Sequence, residues 1–326
     1  MRPQSDLRTA VAPPSPDPDA TPDGFVVLAD SGDRIHFLDW GGPTPANPGA
    51  DGGRSGILLV HGISATAWVW APVARRLRTV RRTIATDLRG HGLSDAPTMG
   101  YDPPSLASDL TAVADGAGLL AGDGVVLVGH GFGACVAAWA GARLGDACRG
   151  LVLVDGGWED LRETSGMEPD EFLRTLDEPP EVLRSLAAFL ADRRGFDPAT
   201  WDSDQERAAR ASVVETHAGR VVPVTRPHVV EAVVHAMFSY RPVDTLRAVR
   251  APIAILSGAD DDAGTRTAAL GRTLEGLAAA GHPDPAVLPF PGLGHNLMRY
   301  RPAELTAAIL AVAGDGPAAT ALGDRD

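Results

Sequence analysis

The sequence predicts an α/β protein built on a mostly parallel, doubly wound sheet, and three observations carry that prediction. Several short runs are apolar without alternation, as in Gly56-Ile57-Leu58-Leu59-Val60 and Gly150-Leu151-Val152-Leu153-Val154, the mark of strands buried on both faces. These runs alternate with stretches of helical periodicity, the order expected of a parallel sheet wrapped by helices. One of them, Val125-Val126-Leu127-Val128, ends in Gly129-His130-Gly131-Phe132-Gly133 and turns at once into the helix-forming segment Ala134 to Leu144. A strand that turns so sharply lifts its corner residue above the sheet, and only small neighbours fit beside it.

Each element follows in order. Met1 to Asp23 carries six prolines and several acids without an apolar core. It predicts a disordered tail, 1–23, and not a signal peptide. Gly24 to Gly41 reads as two strands joined by a Ser31-Gly32-Asp33 turn, and Gly42 to Ser55 as a Pro/Gly loop. The buried strand Gly56 to Val60 ends in His61-Gly62-Ile63-Ser64, followed by a helix from about Pro72 to Leu77. Thr83-Ile84-Ala85-Thr86 ends in Asp87-Leu88-Arg89-Gly90-His91-Gly92-Leu93-Ser94-Asp95. Ser105 to Leu120 is helical in period, with Leu106, Leu110, Val113 and Ala117 on one face. After the corner and the strand ending in Asp155, the segment from Trp158 to Arg247 breaks the rhythm. Asp170 to Leu176, Glu181 to Arg194, Gln205 to Val214 and His228 to Phe238 are its candidate helices. Residues 158–247 are therefore expected to form a helical cap inserted into one core, 24–157 and 248–314. Strand alternation resumes at Ile253 to Gly258 and Val287 to Phe290, a last helix spans Pro302 to Val312, and 315–326 forms a C-terminal tail.

Composition narrows the partners. The 326 residues carry a net charge of −13 and are 44% hydrophobic, which suits one large domain with an insertion. An acidic balance opposes binding to nucleic acid or to an anionic membrane surface. All 29 basic residues are Arg, a bias expected of a GC-rich bacterial genome. No apolar run approaches a membrane span, so a cytoplasmic location is expected. Cys135 and Cys148 are too few for a disulfide framework and read as small buried hydrophobes in a reducing compartment.

Five signals stand in order: His61-Gly62 after a buried strand, the Asp87 to Asp95 run, the glycine corner, Gly258-Ala259-Asp260-Asp261-Asp262 after a strand, and Gly294-His295. On these motifs the chain, from about Gly24 to Gly314, resembles the α/β-hydrolase fold family. The resemblance is to its capped branch of esterases, epoxide hydrolases, carbon–carbon hydrolases and cofactor-free haloperoxidases. It implies the chain order nucleophile, acid, histidine, which Gly131, Asp261 and His295 keep. In the family the acid follows the strand ending in Gly258 by three residues, so the resemblance implies Asp261, with Asp260 and Asp262 open by a shift of one. A carboxylate behind the His295 imidazole would fix its tautomer and make it a general base. The resemblance further implies an oxyanion hole from the N–H groups of Ile63 and Phe132, the second at a helix N-terminus whose dipole adds to it. Trp68, Trp70 and Trp158 are candidates for lining an apolar pocket. No cofactor and no metal is implied, and the expected partner is a small molecule.

The corner departs from the family. Where G-x-S-x-G carries a nucleophile, Gly131 has no side chain, which removes the acyl-enzyme and alkyl-enzyme routes at this position. Four readings follow. His295 and Asp261 act directly on water or on a substrate proton, giving hydrolase or lyase/cyclase-type chemistry on a small, largely apolar molecule. Alternatively a neighbour substitutes, Ser64 first, with Cys135 a poorer candidate because it should point into the packing. Alternatively the pocket only binds, or the sequence is that of a serine hydrolase from which the nucleophile was removed. A different class, a dinucleotide-binding oxidoreductase, fits Gly129-x-Gly131-x-x-Ala134 with Asp155 ending the next strand. That fingerprint usually opens its domain, however, and it leaves His61-Gly62, the Asp87 to Asp95 run and Gly294-His295 without a role.

Overall fold

The computed structural model describes residues 17–43, 55–176, 185–258, 264–290 and 293–314. Most of the two expected tails and all of Asp260, Asp261 and Asp262 lie outside them. The first half of the chain contributes β1 (Asp23–Leu28), β2 (Arg34–Asp39), β3 (Gly56–Val60), α1 (Ala71–Leu77), β4 (Thr83–Thr86) and α2 (Pro103–Gly116). β5 (Val125–His130), α3 (Phe132–Leu144) and β6 (Cys148–Val154) complete it. The inserted segment holds α4 (Leu161–Ser165), α5 (Pro169–Thr175), α6 (Leu186–Phe196), α7 (Ser203–Ala211), a small hairpin of β7 (Val213–Glu215) and β8 (Val221–Pro223), α8 (Pro227–Ser239) and α9 (Pro242–Leu246). Then come β9 (Ile253–Gly258), α10 (Thr265–Ala279), β10 (Ala286–Phe290), α11 (Leu297–Tyr300) and α12 (Pro302–Val312).

The main sheet runs β1-β2-β4-β3-β5-β6-β9-β10. The β1/β2 and β2/β4 pairs are antiparallel, and every pair from β4 to β10 is parallel. Successive side chains of one strand point to opposite faces. Leu58 and Val60 of β3 and Leu127 of β5 enter one core with α2, α3 and α8, while Ile57, Leu59 and Val128 enter the other with α1 and α12. Both faces are filled, which is why these strands read as unbroken apolar runs.

Helix ends explain most boundary differences. α2 starts two residues earlier than its periodicity suggests, because the Asp102 carboxylate accepts the Ser105 N–H at 3.1 Å and Pro103 and Pro104 occupy the first turn. The helix predicted over Gln205 to Val214 ends at Ala211. Val213 and Val214 pair with Pro223 and Val222 instead, as β-branched residues favour. The inserted segment shares the core of the sheet: Trp158, Val229, Val233, Tyr240 and Leu246 lie in the same buried cluster as Leu58 and Leu127. Among the described residues no helix is long and apolar enough to cross a membrane.

This topology positions the site. β3, β5, β6 and β9 are parallel neighbours, so the residues that follow them emerge at one edge of the sheet, where open α/β sheets bind ligands. His61-Gly62-Ile63 follows β3, Gly131 follows β5, and Asp155 follows β6.

Candidate active site

The corner has the strained backbone that its sharpness implies. Gly131 lies at φ 54° and ψ −120°, a region that side-chain-bearing residues rarely adopt. Its N–H donates to the Val154 carbonyl at 3.0 Å and its own carbonyl accepts the Ala134 N–H at 3.0 Å, so strand and helix are both tied to it. The flanking positions need to be small for a reason of space. A Cβ on Gly133 would lie 2.3 Å from the His61 carbonyl oxygen, and one on Gly156 would lie 2.8 Å from the Gly131 Cα.

His295 stands over this corner. A Cβ on Gly131 would be 3.1 Å from His295 Nε2 and 3.4 Å from Cε1. The other ring nitrogen, Nδ1, is 2.5 Å from Asp155 Oδ2. A carboxylate can only accept here, so Nδ1 carries the proton and Nε2 presents its lone pair toward Gly131. Asp155 Oδ1 accepts the Gly258 N–H at 2.8 Å and lies 3.1 Å from the Arg266 guanidinium. Burial alone would favour the neutral acid. The His295 hydrogen bond and then the Arg266 charge outweigh it and hold this carboxyl below its usual range.

The sequence reading placed Asp261 behind His295. Asp261 lies outside the described residues, and the carboxylate that meets His295 Nδ1 is Asp155. The reason is topological. β6 is the strand next to β5, so the residue after it emerges beside the corner, and Asp155 takes an unusual φ of 47° there. The same contacts leave Asp155 occupied where a dinucleotide fingerprint would need it for a ribose.

Two further charged residues stand behind this pair, and sequence reasoning missed both. Arg266, in the first turn of α10, bridges Asp155 and Glu159, its Nε donating to Glu159 Oε1, while its guanidinium lies 5.2 Å from the Trp158 ring centroid. Burial raises the Glu159 carboxyl above its usual range against the pull of Arg266. Arg266 and Glu159 are 107 residues apart, and no local pattern pairs them.

The loop after β3 is braced from behind. The Leu88 N–H donates to His61 Nε2 at 3.0 Å, so His61 Nδ1–H donates to the Gly62 carbonyl at 2.7 Å. C=O and N–H point oppositely across a trans peptide, so this anchor turns the Ile63 N–H away from His61. Neither the Ile63 nor the Phe132 N–H is taken by an acceptor among the described residues, and both residues line the cavity. The Asp87 to Asp95 run supports this loop without reaching the cavity. Asp87 accepts the Ala67 N–H at 2.7 Å and the Leu93 N–H at 3.0 Å and contacts His36 Nδ1 at 2.8 Å. The His91 ring lies 5.2 Å from that of His61 and is pushed down to about 3, by burial first and His61 second.

The cavity has a volume of about 320 Å³. Ile63, Val69, Phe132, Leu161, Phe172 and Met237 give it an apolar wall, and its polar groups are His130, Cys135, Asp155, Glu159, His295 and Asn296. Five expectations need correction. Trp70 and Trp158 are fully buried in the two cores, and none of Trp68, Trp70 and Trp158 lines the cavity. Large apolar residues fill cores as readily as pockets, and sequence does not separate the two. Ser64, at φ 58°, is exposed and absent from the cavity wall. Cys135 does line the cavity, but burial, with Glu159 beside it, keeps its thiol protonated. His130 donates from Nε2 to the His295 carbonyl at 2.9 Å, its Nδ1 has no partner among the described residues, and burial holds its ring neutral, with a pKa pushed down to about 3. Among the described residues no cluster of three His, Cys, Asp or Glu side chains is arranged to hold a metal ion.

Comparison with known proteins adds to this geometry. Residues 57–309 match a family model described as the alpha/beta hydrolase family. The chain is 30% identical over 254 residues to 2-(acetamidomethylene)succinate hydrolase of Mesorhizobium japonicum, covering 78% of this chain and 86% of that protein. It is 33% identical over 189 residues to N-formylmaleamate deformylase of Pseudomonas putida, covering 57% of this chain and 63% of that one. The crystal structure of E-2-(acetamidomethylene)succinate hydrolase superposes with a TM-score of 0.67 at 24% identity, over 88% of this chain and 97% of the other.

Proposed function

Because the chain belongs to the alpha/beta hydrolase family, we propose that its cavity performs hydrolysis of a small, largely apolar carbonyl compound, with His295 as general base and no covalent intermediate. One observation carries the reading: His295 Nε2 faces Gly131, where the family has its nucleophile, while Nδ1 is held by Asp155 at 2.5 Å. In this mechanism Nε2 takes a proton from water, and the resulting hydroxide attacks the substrate carbonyl carbon. The oxyanion forms beside the N–H groups of Ile63 and Phe132. The imidazolium, stabilised by Asp155, then returns the proton to the leaving group as the carbon–heteroatom bond breaks. The same base serves proton abstraction from carbon if the substrate offers no cleavable acyl bond. Residues 158–247 act as a cap in this reading, supported by Leu161, Phe172, Leu176 and Met237 in the cavity wall.

The test is p-nitrophenyl acetate hydrolysis followed from the first turnover. Wild type should show no burst, since no acyl-enzyme accumulates. His295→Gln should lower the rate by about 10²-fold or more, the contribution of a positioned general base. Asp155→Asn should remove most of it, and Asp261→Asn should leave it near wild type. Equal rates in wild type and His295→Gln would refute the catalytic reading and leave a cavity that binds without turnover.

A further inference from the structure

The cavity wall offers an unusual balance of donors and acceptors. The backbone N–H groups of Ile63 and Phe132 belong to residues of its wall. Glu159 lines it as well. Its Oε1 is taken by Arg266, its Oε2 has no hydrogen-bond partner among the described residues, and its side chain is 17% exposed. Arg266 stays behind this carboxylate and does not line the cavity, and no other Arg among the described residues does. Asp155 adds a second negative charge whose two oxygens are already engaged. A ligand carboxylate would therefore face two carboxylates with no Arg among the described residues lining the cavity to meet it, and like charges brought together repel. An N–H or O–H donor would instead meet the Glu159 oxygen that Arg266 does not engage.

Resting on the functional reading above and extending it to substrate class, we infer that Glu159 is a specificity-determining residue. It selects an uncharged carbonyl compound that carries an N–H or O–H donor, of the amide type, and excludes carboxylates. The carbonyl oxygen lies under the Ile63 and Phe132 N–H groups, and the donor meets Glu159 Oε2. Succinate and maleamate, the acids in the names of the two relatives, contain carboxylates, so this chain is expected to reject such molecules.

The experiment compares hexanamide with hexanoate, nearly equal in shape, by isothermal titration of the full chain at neutral pH. Wild type should bind hexanamide about tenfold or more tightly than hexanoate, from donor acceptance on one side and charge repulsion on the other. Glu159→Gln, which keeps the side-chain shape and offers an N–H₂ to a carboxylate, should shrink that ratio several-fold. Hexanoate binding as tightly as hexanamide, an unchanged ratio in folded Glu159→Gln, or no saturable binding of either compound would each overturn the inference. The wild-type ratio stands as a test even if the variant fails to fold. Binding at equilibrium needs no turnover, so it is judged apart from catalysis. Loss of the His295 dependence with the amide preference intact would sink only the mechanism, and the reverse outcome would sink only the specificity.

Discussion

Gly131→Ser puts the empty corner to the most direct test. The substitution adds a Cβ at φ 54° and ψ −120°, a conformation that costs a side-chain-bearing residue on the order of 1–3 kcal/mol. The new Cβ meets His295 Nε2 at 3.1 Å, tighter than ordinary contact. The obstacle is the far end of a side chain that is 55% exposed, so the ring can yield by a few tenths of an ångström without moving backbone. Backbone strain therefore sets the cost, and the variant should be destabilised by about 1–3 kcal/mol, at about 2–4 °C in Tm for each kcal/mol. The hydroxyl would then sit beside His295 and near the N–H groups of Ile63 and Phe132. Wild type should resist a fluorophosphonate, which needs an activated serine, whereas Gly131→Ser should be labelled and should hydrolyse p-nitrophenyl acetate with a burst. Labelling should disappear in the double variant with His295→Gln. A folded Gly131→Ser protein that neither labels nor bursts would refute the alignment of corner and imidazole. Ready labelling of wild type would point to another nucleophile.

Further outcomes follow from the same geometry. The His91 ring is held at about 3 in the folded chain, below the ordinary histidine value near 6.5, so the unfolded state binds the extra proton. Its contribution to stability is complete above about pH 6.5 and is lost as pH falls toward 3; urea denaturation of His91→Gln across that window should show a shallower pH dependence than wild type. Asp155 has its folded value depressed, so its contribution is present above about pH 3.9 and lost below it, and Asp155→Asn should flatten acid denaturation there. Leu176 is 39% exposed at the cavity wall, so Leu176→Ala should weaken hexanamide binding while stability stays within about 0.5 kcal/mol.

The sheet and the corner were legible in sequence because they depend on local signals. Unbroken apolar runs mark β3, β5 and β6, and Gly129-His130-Gly131-Phe132-Gly133 requires a tight turn whatever surrounds it. His295 was legible because glycine precedes it near the end of the sheet-forming chain. Asp155 was not recognised as its partner. Counting along the chain from Gly258 leads to Asp261, whereas the relevant distance runs across the sheet from β5 to β6. The neighbouring-strand position of Asp155, already visible as the residue ending a buried run, was the signal available. Glu159 and Arg266 offered none, since their pairing exists only once α10 is folded against the end of β6. The Val213–Glu215 hairpin strand was hidden by a helical period that continued past Ala211.

The Asp155 carboxylate also imposes an order on biosynthesis. It is synthesised 140 residues before His295, and its other donors, Gly258 and Arg266, also come later. At roughly 5–20 residues per second the wait for His295 is about 7–28 s. Until β9 is made, β6 is an open edge, because β9 pairs beside it, and the acid at its tip has none of these three donors. A ribosome-bound chain halted before β9 would thus carry the complete glycine corner and the braced His61 loop beside a half-built sheet whose growing edge can still pair with a wrong strand. β9 and β10 close that edge and His295 follows them in the chain, so the base is completed only after the strands that close the edge have been made.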